Sequence, residues 1–422
     1  MRILSLTAGA AGMYCGTCLR DNSLARELIR QGHDVLLVPI YTPTLTEEEN
    51  VSAEKVFFGG ISVYLQQHYS IFRKLPAFFD RLWDSNWALK LATSGSISVN
   101  PKLLGEMTVS MLRGEQGFQA REISKLTSWL VNEPRPDVID LPYTLLIALA
   151  EPLKNALQRP VICTMQGEDL FLEGLQEPWH SECLRLIRAN LRHVDRFIAV
   201  SEYYASFMSE YLGLERSRIE VSPLGISMEG HDASKRSATR DGALQVGFFA
   251  RVAPEKGLHV LAEAVSLMKQ PAVLRAAGYL PPEHKGYLQK LRGVQYEGSP
   301  DRAGKIAFLQ SIDVFSMPSP YADPKGLSLL EAMANGVPVV QPSRGAFPEI
   351  VRATGGGVLF APDTPQRLAE VLDELAADRD RLRALSSCAA QGVRDRYGLA
   401  AMASRTAEIY QDVARGAAVA QS

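Results

Sequence analysis

The sequence predicts an α/β protein built from two doubly wound, Rossmann-like domains. Two observations set the class: the chain's length, and the alternation of short apolar runs with amphipathic segments from end to end. A third, a polar stretch just past the midpoint, sets where it divides. At 422 residues the chain exceeds the size at which one hydrophobic core keeps growing.

In the first half the expected strands are Arg2–Thr7, Asp34–Ile40, Ile61–Leu65, Asp137–Asp140, Val161–Met165 and Arg196–Val200. Their continuous, β-branched character suits strands buried on both faces of a parallel sheet. Between the first two lies CLRDNSLARELIRQGHD, where Leu24, Leu28 and Ile29 have helical spacing and Gly32 marks a helix stop. This is a βαβ unit, and its repetition implies a doubly wound domain over residues 1–226. Residues 66–128 break the alternation. They carry Phe72, Phe78, Phe79, Trp83 and Trp87 among Arg73, Lys74 and Arg81. Two readings stand: an amphipathic helix facing a membrane or an apolar acceptor, or an inserted helical pair packed on the first domain.

Ser227–Gly242, SMEGHDASKRSATRDG, is polar and aperiodic and reads as a linker. The second domain, 243–398, repeats the logic with strands at Leu244–Phe249, Val273–Ala277, Val294–Glu297, Val314–Met317, Val337–Gln341 and Val358–Phe360. Helices fit between them at Gly257–Met268, Lys305–Ser311 and Leu327–Ala334. Residues 399–422 form a last segment, helical over Leu399–Arg415. Two such domains would leave a ligand-binding cleft between their carboxyl strand ends.

Composition narrows the function. A formal net charge of -2 argues against a nucleic-acid binder held by bulk electrostatics. MRILSLTAGAAG reads as a first strand entering a glycine-rich loop, without the long apolar core of a signal peptide. No apolar run is long enough for a transmembrane helix. Five sparse cysteines, Cys15, Cys18, Cys163, Cys183 and Cys388, fit a reducing compartment better than a disulfide framework, so the expected location is the cytoplasm.

Four stretches carry candidate chemistry. In AGAAGMYCGTC, Gly9, Gly12 and Gly16 allow close backbone approach at a helix N-terminus, which suits an anion; steric need alone also makes such turns glycine-rich. Cys15 and Cys18 form a C-x-x-C, a redox pattern in other settings, but small side chains packed beside the loop are the better account of it. No second pair follows to complete a zinc site. In RVAPEKGL, Arg251 and Lys256 lie past a strand end beside a helix start, a place for a diphosphate or for two solvated charges.

The fourth is DPKGLSLLEAMANGVPVV, Asp323–Val340. Pro324 and Gly326 keep the chain irregular, a helix starts at Leu327, and Glu331 falls one to two turns inside it. The N–H groups of Gly326, Leu327 and Ser328 would face an anion, with Asp323 and Glu331 reaching past it on either side. Carboxylates accept from vicinal hydroxyls, so a phosphate flanked by two sugars, a nucleotide sugar, fits this pattern. The plain alternative is that Asp323 caps the helix and Glu331 lies on the surface.

Together these segments resemble the retaining glycosyltransferases of the GT-B fold, carbohydrate-active family four (glycosyl transferases group 1). The similarity runs through the glycine loop, GHDVLLV, RFIAVSEYYASFM, VSPLGI, RVAPEKGL, DPKGLSLLEAMANGVPVV and GAFPEIV. The resemblance implies transfer of a hexosyl group from a nucleotide diphosphate sugar with retention at the anomeric carbon. It implies no metal and no cofactor beyond the donor, which family frequency makes a UDP-sugar, and a carbohydrate or lipid-linked acceptor. Arg251 and Lys256 would neutralise the diphosphate, Glu331 would hold the ribose, and Asp323 would stand at the acid that binds the transferred sugar. Gly12 and the amides near Gly326 and Leu327 would complete the cradle, and Lys325 would add a further phosphate cation. A terminal helix crossing back to the first domain and closure about the linker also follow.

The sequence departs from the family pattern at Asp323, where glutamate is usual, and at Gln166 in TMQGED, where the family often has histidine. Gln166 bonds a hydroxyl but carries no proton. Glu168 and Asp169 face the acceptor or cap a helix. The rival readings are a phosphorylase or epimerase on the same scaffold, a non-enzymatic sugar-binding protein, and a transferase relative that has lost activity.

Overall fold

The structure, a computed structural model, describes residues 1–9, 16–43, 49–53, 56–57, 101–236 and 242–421. The expected strand Ile61–Leu65 and the aromatic stretch Phe72–Trp87 lie outside these residues. The chain divides into two compact units. Unit 1 comprises Met1–Val200, Tyr204–Ser222 and Ala403–Ser422, and unit 2 comprises Ser201–Tyr203 and Pro223–Met402.

Unit 1 is built on β1 (Arg2–Thr7), β2 (Asp34–Pro39), β3 (Val138–Leu141), β4 (Val161–Met165), β5 (Arg196–Ala199) and β6 (Ile219–Val221). They form one parallel sheet in the order β2-β1-β3-β4-β5-β6. Ile3 sits opposite both Val35 and Val138 in the register. β3 and β4 are buried along their whole length, as strands covered on both faces must be. β6 was not anticipated, because IEV is too short to carry a period. In the helix Gly16–Arg30, Leu24 and Leu28 are buried but Ile29 is exposed, so the apolar stripe is narrower than the spacing suggested. Part of the insertion is described: the helices Pro101–Leu112 and Ala120–Leu130, the second burying Ile123, Leu126 and Leu130. The terminal helix Leu399–Gln421 joins unit 1 through polar contacts. Thr406 pairs with Ser222 at 2.8 Å, and Arg405 reaches Glu220 and the Val221 carbonyl.

Unit 2 holds β7 (Leu244–Phe249), β8 (Ala272–Ala277), β9 (Val294–Tyr296), β10 (Val314–Phe315), β11 (Val339–Pro342) and β12 (Gly357–Phe360), again all parallel, in the order β12-β11-β10-β7-β8-β9. Phe248, Phe315, Leu329, Met333, Val339 and Leu372 fill its core. Each such side chain stabilises the fold by about 1.5–3 kcal/mol on burial. The chain runs from β7 to β8 on one side and from β10 to β11 on the other. The adjacent strands β7 and β10 therefore define the switch point of the sheet.

β10 is shorter than expected. Past Phe315, the Met317 N–H donates to the Gln341 side chain at 3.2 Å rather than to a strand carbonyl, so the ladder ends and the chain turns out of the sheet. The described part of Ser227–Gly242 is no loose linker. The Arg236 guanidinium is largely buried and donates to the carbonyls of Ile312, Asp313 and Gly336 at 3.4, 2.7 and 3.0 Å. It ties the segment to unit 2 by satisfying carbonyls beyond two helix ends. Further bonds hold the same segment, from Arg302 to the Glu229 carbonyl, from Gln310 to the Asp232 carbonyl and between Asn335 and His231, and a polar, aperiodic sequence conceals all of them.

Candidate active site

Two loops leave the carboxyl ends of β7 and β10 side by side. The first runs from Ala250 to a short turn at Pro254–Lys256 and then to the helix Leu258–Leu267; the second runs from Met317 to the helix Leu327–Ala334. Both helices begin at a glycine in the left-handed region, Gly257 at φ 79° and Gly326 at φ 63°. A Cβ at Gly257 would stand 2.1 Å from the Pro318 carbonyl oxygen, so the two loops are pressed together there. A Cβ at Gly326 would stand 2.4 Å from Ile350 Cδ1. Ser319 Oγ adds a bond to the Glu255 carbonyl at 2.7 Å.

The charged residues meet on this frame. Lys256 Nζ donates to Asp323 Oδ2 at 2.7 Å. Asp323 Oδ1 accepts from the Lys325 and Gly326 N–H groups at 2.9 and 3.0 Å. Asp323 is 7% exposed. Burial pushes its carboxyl up, but the Lys256 ammonium and the amide bonds outweigh that and hold it below the usual carboxylate range. Arg251 is bonded to Glu255, four residues on, across an extended stretch of the loop. Glu331 lies in the second turn of its helix and accepts from Lys305 Nζ at 2.5 Å.

The sequence expectation needs one correction here. The Gly326 N–H was expected to face an anion, and it is taken by Asp323, which folds back as a cap on its own loop. Among the described residues no backbone carbonyl accepts from the Leu327 and Ser328 N–H groups at the start of the helix. Glu255 and Lys305 were missed. Glu255 stands four residues after Arg251, a spacing that signals a pair once a helical turn is assumed. Lys305 carries no local signal, because its partner is 26 residues away.

Gln166 lies in unit 1, just past β4, and is 3% exposed. Its amide donates to the Pro142 carbonyl at 2.8 Å and makes a long 3.5 Å contact with Asp21. Among the described residues nothing donates to its Oε1. Asp21 belongs to a buried run, Arg20, Asp21 and Asn22, in which Arg20 Nη1 pairs with Asp21 at 3.2 Å and Asn22 clamps Glu49 and Val51 through their backbones. Burial pushes the Asp21 carboxyl up to about 6, against the pull of Arg20 and with the repulsion of Asp140. The unbroken polar run Arg20–Ser23 within this helix was the signal for this cluster. Glu168 accepts from the Thr144 N–H and hydroxyl and from the Gln166 N–H, and Asp169 accepts from Tyr204. Both acids are buried: Glu168 holds the turns at Thr144 and Gln166, Asp169 takes the Tyr204 hydroxyl, and no side-chain bond caps the helix Asp169–Glu173. Gly12 lies outside the described residues, and Cys18 is buried. Among the described residues no group of three or more His, Cys, Asp or Glu side chains is placed to hold a metal ion. No helix among them is long and apolar enough to cross a membrane.

Two doubly wound units, one with cations, acids and a helix N-terminus gathered at its switch point, define a GT-B protein. The comparisons place it more closely. The family described as Glycosyl transferases group 1 matches residues 231–391, and the one described as Glycosyltransferase Family 4 matches residues 106–229. The chain is 26% identical over 312 residues to a phosphatidyl-myo-inositol mannosyltransferase of Mycobacterium leprae, spanning 69% of this chain and 77% of that one. It is 27% identical over 318 residues to a glycogen synthase of Mycobacterium tuberculosis, spanning 71% and 73%. Among solved structures it resembles the HepE protein of Anabaena in complex with UDP and glucose, with a TM-score of 0.67 at 18% identity over 98% of this chain and all of that one. It also resembles the sucrose-phosphate synthase of Thermosynechococcus elongatus, with a TM-score of 0.70 at 16% identity over 98% of each. The chain belongs to the family-four type of GT-B glycosyltransferases.

Proposed function

We propose that this glycosyltransferase moves a hexosyl group from a nucleoside diphosphate sugar to a carbohydrate or lipid-linked acceptor, with retention of anomeric configuration and without a metal ion. The observation that carries this reading is the Lys256–Asp323 contact between the two loops at the β7/β10 switch point, with Arg251 on the β7 loop and Glu331 in the helix that the β10 loop enters. Fixed cations and helix N–H groups do for a diphosphate what a metal ion does elsewhere. The HepE protein of Anabaena, solved with UDP-glucose, supports UDP as the nucleotide. The name of the mycobacterial mannosyltransferase supports a lipid-linked polyol as acceptor.

In this reading the diphosphate takes Arg251 from Glu255 and shares Lys256 with Asp323, while the Leu327 and Ser328 amides complete its cradle. Gly12 and Lys325 add backbone approach and charge. Glu331 accepts from the ribose hydroxyls. Asp323 orients Lys256, and the transferred sugar competes with Lys256 for its carboxylate. Gln166 Oε1, buried and without a donor, accepts from a hydroxyl. As the acceptor oxygen bonds to the anomeric carbon, the bond from that carbon to the phosphate oxygen breaks on the same face. The departing phosphate takes the acceptor's proton, and Arg251 and Lys256 stabilise its charge.

The test is an incubation of the purified protein, in EDTA, with UDP-, GDP- and ADP-sugars and a panel of glycan and polyprenyl or inositol lipid acceptors, read by product mass and anomeric NMR coupling. Transfer with retained configuration is expected. An inverted product, or transfer only after a divalent metal is added, would overturn the corresponding part.

A further inference from the structure

Glu331 is held from two sides. Its Oε1 accepts from Lys305 Nζ at 2.5 Å, and among the described residues no protein donor meets its other oxygen. Its backbone carbonyl accepts from Asn335 Nδ2 at 2.9 Å, and Asn335 in turn meets His231 Nδ1 at 2.8 Å and Gln310 Nε2 at 3.2 Å. Lys305 and Gln310 share the helix Arg302–Gln310, and Glu331 lies in the neighbouring helix, just before Asn335 at its end. The two helices are thus joined at two points, by the Lys305–Glu331 ion pair and by the hydrogen bond that the Gln310 amide donates to Asn335 Oδ1.

The Lys305 ammonium is also confined. It stands 6.0 Å from the ring centre of Phe249, the last residue of β7, and its side chain is 21% exposed. A flexible lysine is therefore fixed between one carboxylate and one aromatic face. The pair then presents an acceptor oxygen beside an ammonium whose remaining protons are available. A hydroxyl both donates and accepts, so two adjacent hydroxyls match this pair better than they match a lone carboxylate.

We infer that Lys305 is a positioning and specificity-determining residue that fixes Glu331 for the cis-diol of an unmodified ribose. This rests on the reading above that Glu331 holds the ribose. It makes the site discriminate between a nucleoside diphosphate and its 2′-deoxy analogue, since the analogue leaves a partly buried charged group unmatched.

The experiment is calorimetric titration of UDP and 2′-deoxy-UDP, with the GDP and ADP pairs alongside, into the wild-type protein and the variants Lys305→Met, Lys305→Gln, Lys305→Arg and Glu331→Gln, each checked for a native melting transition. The wild type is expected to favour the ribonucleotide about tenfold or more. Lys305→Met and Lys305→Gln lose most of that preference by weakening the ribonucleotide alone, and Lys305→Arg keeps it. An undiminished preference in Lys305→Met and Lys305→Gln, or an equal loss of affinity for both nucleotides, overturns the assignment of Lys305. A wild-type protein that does not discriminate, or a Glu331→Gln variant that still does, overturns the ribose role of Glu331 instead. No binding by any nucleotide overturns both.

Discussion

Lys256 and Asp323, 67 residues apart in the chain, meet at 2.7 Å where the loops after β7 and β10 run together. The contact joins the two loops that the sheet's crossover places side by side, and it is mostly buried on the aspartate side. It fixes Lys256, one of the cations proposed to meet the donor's diphosphate. Asp323 does this while capping its own turn, so a single carboxylate sets the shape of the loop and the direction of the ammonium.

Double-mutant coupling measures that contact. Lys256→Met, Asp323→Asn and the double variant, compared by urea unfolding, are expected to give a coupling of about 1–3 kcal/mol at neutral pH. The Asp323 carboxyl titrates below its ordinary range, so its contribution is full above that range and is lost as pH falls through the depressed native value. The stability gap between wild type and Asp323→Asn should close on acidification. A gap that does not change down to the acid limit of folding would show that Asp323 is not held as a paired carboxylate.

The Asp21 carboxyl has the opposite sign. Its native value is pushed up to about 6, above that of the unfolded chain, so the folded state holds the proton longer. The cost of ionising it is absent below the ordinary aspartate value and accumulates as pH rises through about 6. Melting curves of wild type and Asp21→Asn between pH 4 and 7 should therefore diverge in favour of the variant as pH rises. Parallel curves would mean that Arg20 neutralises the burial cost completely.

Gly257→Ala tests the frame of the site rather than its charges. The substitution adds a Cβ in the left-handed region and sets it 2.1 Å from a carbonyl oxygen that belongs to the neighbouring loop. The expected loss is about 2 kcal/mol or more, a fall of roughly 5 °C in Tm. An unchanged melting temperature would mean that the two loops separate without strain.

Much of this frame was legible in the sequence, and the reasons are physical. Strands buried in a parallel sheet leave short, mainly apolar runs, so β1, β4, β7 and β8 are visible even where Ser5, Gln245 or Arg275 interrupts them. The helix Leu327–Ala334 is bounded by a glycine at its start and apolar spacing within, and its limits match those read from the sequence. What the sequence could not show depends on partners distant in the chain. Lys305 looks like any helical lysine until Glu331 is placed beside it. Arg236 looks like a linker residue until three carbonyls surround it. The Gly326 amide is a different case: its partner Asp323 is only three residues away, and the sequence left it open whether that carboxylate caps the turn or faces a ligand. β6 escaped because a three-residue strand carries no period, and the early end of β10 escaped because Gln341 ends its ladder from another strand.

The most direct measurement is calorimetric titration of UDP, GDP and ADP, in EDTA, into the wild-type protein and Lys256→Gln. One nucleotide should bind the wild type without metal, and the variant should lose about tenfold to a hundredfold in affinity for it while keeping a native melt. Equal affinity in the two proteins would contradict the claim that the β7 and β10 loops hold the donor's diphosphate.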